Sequence, residues 1–220
     1  MCFSATANFV GSSVLGAIGI ATLMEVKHRR ELLFAAVPCL FAVHEFTEGF
    51  VWLGLDHSLS ARAAHEAAAA YIVYAQGLLP FLMPLGVLLL EPTVQRRRLM
   101  LGFSVLGGAL MFYVLWALTA APFQVYMRDH TIVYDNPYTT TTIVAVLYVI
   151  ATCGSLLFSG FRYLVVFGVV NIICVVVVTL IKSYAFTSLW CAYAAVSSVL
   201  IYFFFRQNRA EWPLPYALAS

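Results

Sequence analysis

Long apolar stretches alternate with short polar breaks along most of this 220-residue chain. Each stretch is about 20 residues long, the length of helix that crosses a hydrocarbon core of about 30 Å. The stretches are continuously apolar and do not alternate, which argues against a transmembrane β-barrel. The pattern predicts seven transmembrane helices, over residues 3–24, 32–55, 67–90, 99–120, 138–158, 163–181 and 184–205.

The composition agrees with an integral membrane protein. Hydrophobic residues make up 63% of the chain and charged residues 10%, whereas soluble domains carry about 25% charged residues. We therefore expect residues 1–205 to form one all-α, seven-transmembrane helix bundle, followed by a polar tail over residues 206–220. The expected partners are membrane lipids, and no basic block with interleaved aromatics indicates nucleic acid. The sequence does not indicate an oligomeric state.

The basic residues divide unevenly between the two sides of this bundle. One side carries nine of them: Lys27, Arg29, Arg30, Arg96, Arg97, Arg98, Arg162, Arg206 and Arg209. The other side carries three: Arg62, Arg128 and Lys182. Because cytoplasmic loops are enriched in Lys and Arg, this asymmetry predicts a cytoplasmic C-terminus, an external N-terminus and a cytoplasmic tail.

The longest break, residues 121–137, falls on the predicted outer side. Within it, residues 124–127 and 131–134 flank a polar tip at residues 128–130, a pattern that favours a short β-hairpin. One interpretation is a lid over an outward-facing pocket. The other is a loop that only packs on the helix ends.

Three ionisable residues interrupt the apolar run of the second span: His44, Glu45 and Glu48. A carboxylate near the bilayer centre costs about 2.5–3.5 kcal/mol on insertion scales, so such residues usually face the bundle interior and carry function. At 100° per residue all three share one broad face, roughly 10–16 Å below the outer end of the helix. They therefore form a candidate functional site. The alternative is a structural, hydrogen-bonded cluster in which at least one carboxyl is protonated.

Other polar, thiol and aromatic residues are expected to line the same cavity in the outer half of the bundle. These candidate pocket residues are Cys2, Ser4, Asn8, Ser12, Trp52, Gln76, Asn171, Trp190 and Cys191. For the amide and hydroxyl side chains among them, the alternative role is interhelical hydrogen bonding.

The spacing of His44 and Glu48 favours a metal site. Side chains at i and i+4 of a helix can ligate one ion, and Zn²⁺ accepts imidazole and carboxylate together. Glu45 would then act as general base on metal-bound water, whose pKa falls to about 7, with Glu48 as the second candidate catalytic carboxylate. The candidates for a third protein ligand are His65, Cys191 and Cys2. The function this favours is a zinc-dependent site that can support hydrolysis.

Two non-enzymatic functions use the same residues. Paired carboxylates beside a histidine are typical of a proton or cation pathway. Few charged residues lead on from them toward the cytoplasmic side, so the sequence shows no complete route. The other function is a small-molecule sensor, because the chain is 15% aromatic and its tryptophans and tyrosines can line a pocket.

Three segments resemble an uncharacterised family of small bacterial multi-pass membrane proteins that begin Met-Cys-Phe-Ser. They are the opening at residues 1–7, residues 48–53, and residues 189–202. The resemblance implies a domain of unknown function in the bacterial inner membrane and supplies no activity. The residues that it singles out are Cys2, Ser4, Glu48, Trp52, Trp190 and Cys191. It also implies that Glu48 is the shared acid and His44 a local addition, which counts against zinc.

Overall fold

The computed structural model describes residues 4–128, 131–182 and 186–207, with side chains described for 4–128, 131–177 and 196–206. Within this part of the chain, helices dominate, and four are long and apolar enough to cross a membrane. These four are Ala5–Met24, Arg29–Leu55, Ala61–Leu90 and Val94–Ala120. The prediction of a mainly helical membrane protein is confirmed at this level. The seven-span topology and the orientation of the termini stay predictions.

The helices follow the predicted order along the chain. We call the four long helices rods and number them in chain order. The first rod is α1 (Ala5–Met24), and the second contains a 3-10 turn (Arg29–Glu31), α2 (Leu32–Ala35) and α3 (Val37–Leu55). The third contains α4 (Ala61–Ile72), a π-helical segment (Val73–Leu78) and α5 (Leu79–Leu90), and α6 follows at Val94–Ala120. After the strands β1 (Gln124–Arg128) and β2 (Thr131–Asp135) come α7 (Thr142–Leu157), α8 (Arg162–Lys182) and α9 (Phe186–Gln207). The predicted tail beyond residue 207 lies outside the described residues.

Polar side chains define where several helices begin. The Ser4 hydroxyl accepts a hydrogen bond from the Ala7 amide at the start of α1. Thr141 does the same for the Val144 amide at the start of α7. Such N-caps satisfy backbone donors that have no partner inside the helix. These caps fix helix starts that hydropathy alone leaves uncertain by a few residues.

Helix α1 packs closely along α3 because small residues let the two backbones approach. A Cβ atom added at Gly19 would lie 2.7 Å from the backbone nitrogen of Cys39. One added at Gly49 would lie 2.5 Å from the Phe9 ring. Both distances are far below van der Waals contact, and at Gly19 the neighbouring atom belongs to the backbone, so glycine is needed at that crossing. This close approach sets the polar residues of α1 against those of α3.

The predicted hairpin is present. Strands β1 and β2 pair antiparallel, with Gln124 opposite Asp135 and Arg128 opposite Thr131. Strand β1 is largely exposed, whereas Ile132, Val133 and Tyr134 of β2 are buried. The hairpin therefore packs on the end of the bundle through β2.

The third rod differs from its prediction in two ways. It begins at Ala61 rather than near residue 67, and a π-helical segment runs through residues 73–78. The segment precedes Pro80, which has no N–H with which to continue the i→i−4 pattern. Single π turns of this kind are frequent at functional sites. The widened turn carries Tyr74 and Gln76, next to the face that packs on α3.

Candidate functional site

The predicted polar face of α3 is buried in the bundle. His44 is 4% exposed, and Glu45 and Glu48 are fully buried. On the opposite side of the same helix, Val43 and Phe46 are exposed, which is the surface that a spanning helix presents to lipid. The helical phase inferred from the sequence is therefore correct for all three ionisable residues.

Helix α1 contributes Asn8 to this cluster. Its side-chain Nδ2 donates a hydrogen bond of 3.3 Å to Oε2 of Glu48, and Asn8 is fully buried. One turn further along α1, the Ser12 hydroxyl donates to the backbone carbonyl of Ala42 at 2.9 Å. Asn8 thus belongs to the site, whereas Ser12 joins two helix backbones. Ser4 is an exposed cap at the end of α1.

An aromatic stack surrounds the imidazole of His44. Its ring lies 4.1 Å from that of Tyr71 between centroids, at an interplanar angle of 18°. On the other side Tyr74 lies 4.6 Å away at 32°. Tyr71 stacks in turn on Tyr134 of strand β2, with centroids 4.4 Å apart. A continuous line of three rings, Tyr134, Tyr71 and His44, therefore leads from the hairpin to the buried histidine.

Several buried polar atoms of this region have no hydrogen-bond partner among the described residues. They are Nδ1 of His44, Nε1 of Trp52, the hydroxyl of Tyr74 and Oδ1 of Asn8. Trp52 belongs to the same buried cluster as Tyr71 and Tyr134. Because buried polar groups are normally hydrogen-bonded, this set of donors and acceptors is suited to a polar or charged ligand.

The remaining predicted pocket residues are less closely tied to the cluster. Gln76 and Asn171 each carry a buried side-chain oxygen that has no hydrogen-bond partner among the described residues. Asn171 lies on α8, whose main contacts are with α7 and α9. Cys2, Trp190 and Cys191 fall where side chains are not described.

A cavity of about 250 Å³ lies at the hairpin end of the bundle, between α3, α4 and β1. Its lining is apolar except for one histidine and consists of Val51, Gly54, Leu55, Ala64, His65, Ala68, Phe123 and Val125. Val51 follows Glu48 by one helical turn, and Ala68 precedes Tyr71 by one turn. The cavity therefore ends close to the ionisable cluster and the ring stack.

A comparison with protein families bears on the whole chain. The model of a family of unknown function, DUF6629, matches residues 1–215. The chain belongs to this family. The match confirms the resemblance to an uncharacterised family and adds no activity to it. No curated protein and no solved structure matches the chain.

The cluster supplies part of a metal-binding set. His44 and Glu48 are both buried, and Nδ1 of His44 has no hydrogen-bond partner in the described part of the chain. Among the described residues, however, no three His, Cys, Asp or Glu side chains gather closely enough to hold a metal ion. His65 therefore does not complete the set, and it stacks instead on Phe123 with centroids 4.6 Å apart. The two other candidates for the third ligand, Cys2 and Cys191, are not among the described side chains.

Sequence reasoning missed the three tyrosines that contact or approach His44. Tyr71 and Tyr74 are three residues apart, a spacing that places them on one side of a helix. That spacing was the available signal. Which helix faces them, and that Tyr134 of the hairpin reaches Tyr71, depends on tertiary packing.

Proposed function

We propose that this protein binds a cation inside the membrane, at Asn8, His44, Glu45 and Glu48, and acts as a carrier or sensor. The observation that carries the proposal is the complete burial of two carboxyl groups within one turn of each other and beside an imidazole. Desolvation penalises a buried carboxylate, and a bound cation or proton offsets that penalty. The amide of Asn8 orients one of the two carboxyl groups.

We further propose that the site is reached from outside the cell. The nine-to-three distribution of basic residues favours the hairpin end as the outer end. The 250 Å³ cavity at that end approaches the cluster between α3 and α4. On this topology a ligand passes the hairpin before it reaches Glu48.

The hairpin would act as the element that senses or gates the site. Strand β2 is joined to the buried imidazole through Tyr71, whose ring contacts both Tyr134 of β2 and His44. A displacement of β2 would change the ring contacts of His44, and a change in the state of His44 would in turn change the position of β2. This reciprocity is expected of any two coupled sites.

Labelling with dicyclohexylcarbodiimide, an apolar reagent that modifies membrane carboxyl groups, tests the proposal. Labelling of Glu48 is followed by mass spectrometry, in a pH titration and, at fixed pH, with Na⁺, K⁺, Zn²⁺ or a small ammonium ion. We expect at least one of these cations, or protons, to change Glu48 labelling in a saturable manner. The exposed Glu66 serves as the internal control. Glu48 labelling that is indifferent to pH and to every cation would overturn the proposal.

A second candidate function is the zinc-dependent, hydrolytic site. The buried Nδ1 of His44 favours it, because this atom is available to ligate an ion together with the Glu48 carboxylate. Zn²⁺ bound there would supply an activated water, for which Glu45 is the neighbouring general base. Cys2 or Cys191 would supply the third ligand. Metal analysis of protein purified without chelator should find zinc that Glu48→Gln and His44→Ala both remove, and zinc-free wild-type protein argues against this candidate.

A further inference from the structure

A line of buried hydroxyl groups runs along one face of α7. It consists of Tyr148, Thr152 and Ser155, and continues to Ser159 just beyond the helix. Successive spacings of four and three residues keep the three on α7 within about 60° of one another around the helix axis. The other buried residues of α7 are Ala151, Cys153 and Leu156, which carry no hydroxyl group. The buried hydroxyl groups of α7 are therefore confined to this one face.

The upper end of this line lies in the buried core that Tyr74 joins to the ionisable cluster. Tyr148 belongs to the buried core against which Tyr74 packs, and Tyr74 contacts the ring of His44. The Tyr74 hydroxyl is a buried polar atom with no hydrogen-bond partner in the described part of the chain. Tyr74 therefore provides the contact between the His44 cluster and the buried core that contains Tyr148.

The lower end reaches a second buried acid, Glu91, at the opposite end of the bundle. The Ser159 hydroxyl donates to Oε2 of Glu91 at 3.4 Å, and the Gly160 amide donates to the same oxygen at 3.0 Å. Glu91 is 1% exposed, and its other oxygen, Oε1, has no hydrogen-bond partner among the described residues. A Cβ atom added at Gly160 would come close to both Glu91 and Arg96, so a cation lies near this acid.

From these contacts we infer that the cation handled by the site is the proton, and that it crosses the bundle along α7 from His44 and Glu48 to Glu91. This inference rests on the proposed function, because it takes the Glu48 cluster as the starting point. The path from Tyr148 to Ser159 covers about 16 Å at 1.5 Å per residue. It supplies the inner half of a route for which few charged residues are visible in the sequence.

The chemistry of the path is proton exchange between hydroxyl groups and water. A hydroxyl both donates and accepts, so each group can pass on one proton as it receives another. A proton taken up at the cluster is matched by one released at Glu91, and no covalent bond other than O–H or N–H changes. The pH gradient or the membrane potential drives the transfer. Water molecules bridge successive hydroxyls, which lie about one helical turn apart.

Hydroxyl groups in apolar helices also have a simpler role, which must be separated from this one. The Thr152 hydroxyl donates to the carbonyl of Tyr148, and that of Ser155 donates to the carbonyl of Thr152. Hydroxyl groups on two other helices make the same kind of bond: Ser104 of α6 donates to the Met100 carbonyl, and Thr22 of α1 donates to the Ile18 carbonyl. Both are buried. They are matched controls, because their loss has the same local effect and leaves the path intact.

The test is proton flux into liposomes that contain the full-length protein, measured with a trapped pH indicator under an inward pH gradient and with valinomycin and K⁺ present. We expect Thr152→Val, Ser155→Ala and Glu91→Gln each to slow protein-dependent flux by about tenfold or more, because a positioned proton-transfer group contributes on the order of 10²-fold. The control variants Thr22→Val and Ser104→Ala should keep wild-type flux. Glu91→Gln retains an acceptor for the Gly160 amide, and gel filtration confirms that each variant is folded.

The outcomes separate the route from the site. Flux that is lost in Glu48→Gln but retained in all three path variants overturns the route along α7 and leaves the cation site in place. Wild-type flux equal to that of empty liposomes overturns the proton inference, while the labelling of Glu48 still decides whether another cation binds. Equal slowing in path and control variants shows a general effect of hydroxyl loss and also overturns the route.

Discussion

The imidazole of His44 stacks face to face on Tyr71, with ring centroids 4.1 Å apart. Tyr71 contacts Tyr134 of the hairpin on its other side. A buried histidine in the middle of one helix is thereby connected, through one tyrosine of the next helix, to the strand that covers the end of the bundle.

Replacing Tyr71 should reveal the contribution of the stack. Tyr71→Leu removes two ring contacts and should destabilise the protein by about 1–3 kcal/mol more than Tyr71→Phe, which keeps both. The measurement is denaturant unfolding in detergent. Equal losses for the two substitutions would show that stacking contributes little beyond burial of the side chain.

The hydrogen bond between Asn8 and Glu48 should appear as an energetic coupling. A double-mutant cycle of Asn8→Leu and Glu48→Gln is expected to give a coupling of about 1–3 kcal/mol, because the bond is buried and its acceptor is a carboxyl group. The exposed Glu66 provides the control, since Asn8→Leu and Glu66→Gln should be additive within about 0.5 kcal/mol. Additivity of the first pair would mean that the 3.3 Å contact contributes nothing to stability.

Close packing of α1 on α3 should make Gly19 intolerant of a methyl group. Gly19→Ala sets the new Cβ against the backbone of Cys39 and should destabilise the bundle by about 1–3 kcal/mol, the usual cost of overpacking. Gly102→Ala is the matched control, because no atom lies within 4 Å of its added Cβ. That change in a helix interior should stabilise by about 0.5–1 kcal/mol. Thermal unfolding in detergent measures both effects. Equal stability changes for Gly19→Ala and Gly102→Ala would contradict the helix crossing described.

Much of this architecture follows from the sequence because membrane helices obey strong local rules. Apolar length locates the helical rods, and the 100° advance per residue places His44, Glu45 and Glu48 on one face before any neighbour is known. The hairpin is predictable for a similar reason, since β-branched and aromatic residues flank a polar tip. Asn8 was found because its polarity is costly in an apolar helix.

What could not be predicted depends on which helices are neighbours. The pairing of His44 with Tyr71 and Tyr74 requires the packing of α3 on the third rod, and tyrosines in a membrane helix are not costly enough to stand out. The early start of α4 at Ala61 was missed because charged residues in its first turns lower its hydropathy. Glu91 falls in the polar break between the third and fourth predicted spans, and its burial depends on the turn at Ser159 and Gly160, which donates two hydrogen bonds to it. For the tyrosines and for Glu91, the missing information is a contact between segments far apart in the chain.

The central claim is that the Glu48 carboxyl group changes its state when a cation binds. Infrared difference spectroscopy of the protein in lipid, recorded with and without the cation identified by labelling or across a pH step, observes this group directly. We predict a carboxyl C=O band that changes in wild-type protein, is absent from the difference spectrum of Glu48→Gln, and persists in Glu66→Gln. Identical difference spectra for wild-type protein and Glu48→Gln would contradict the claim.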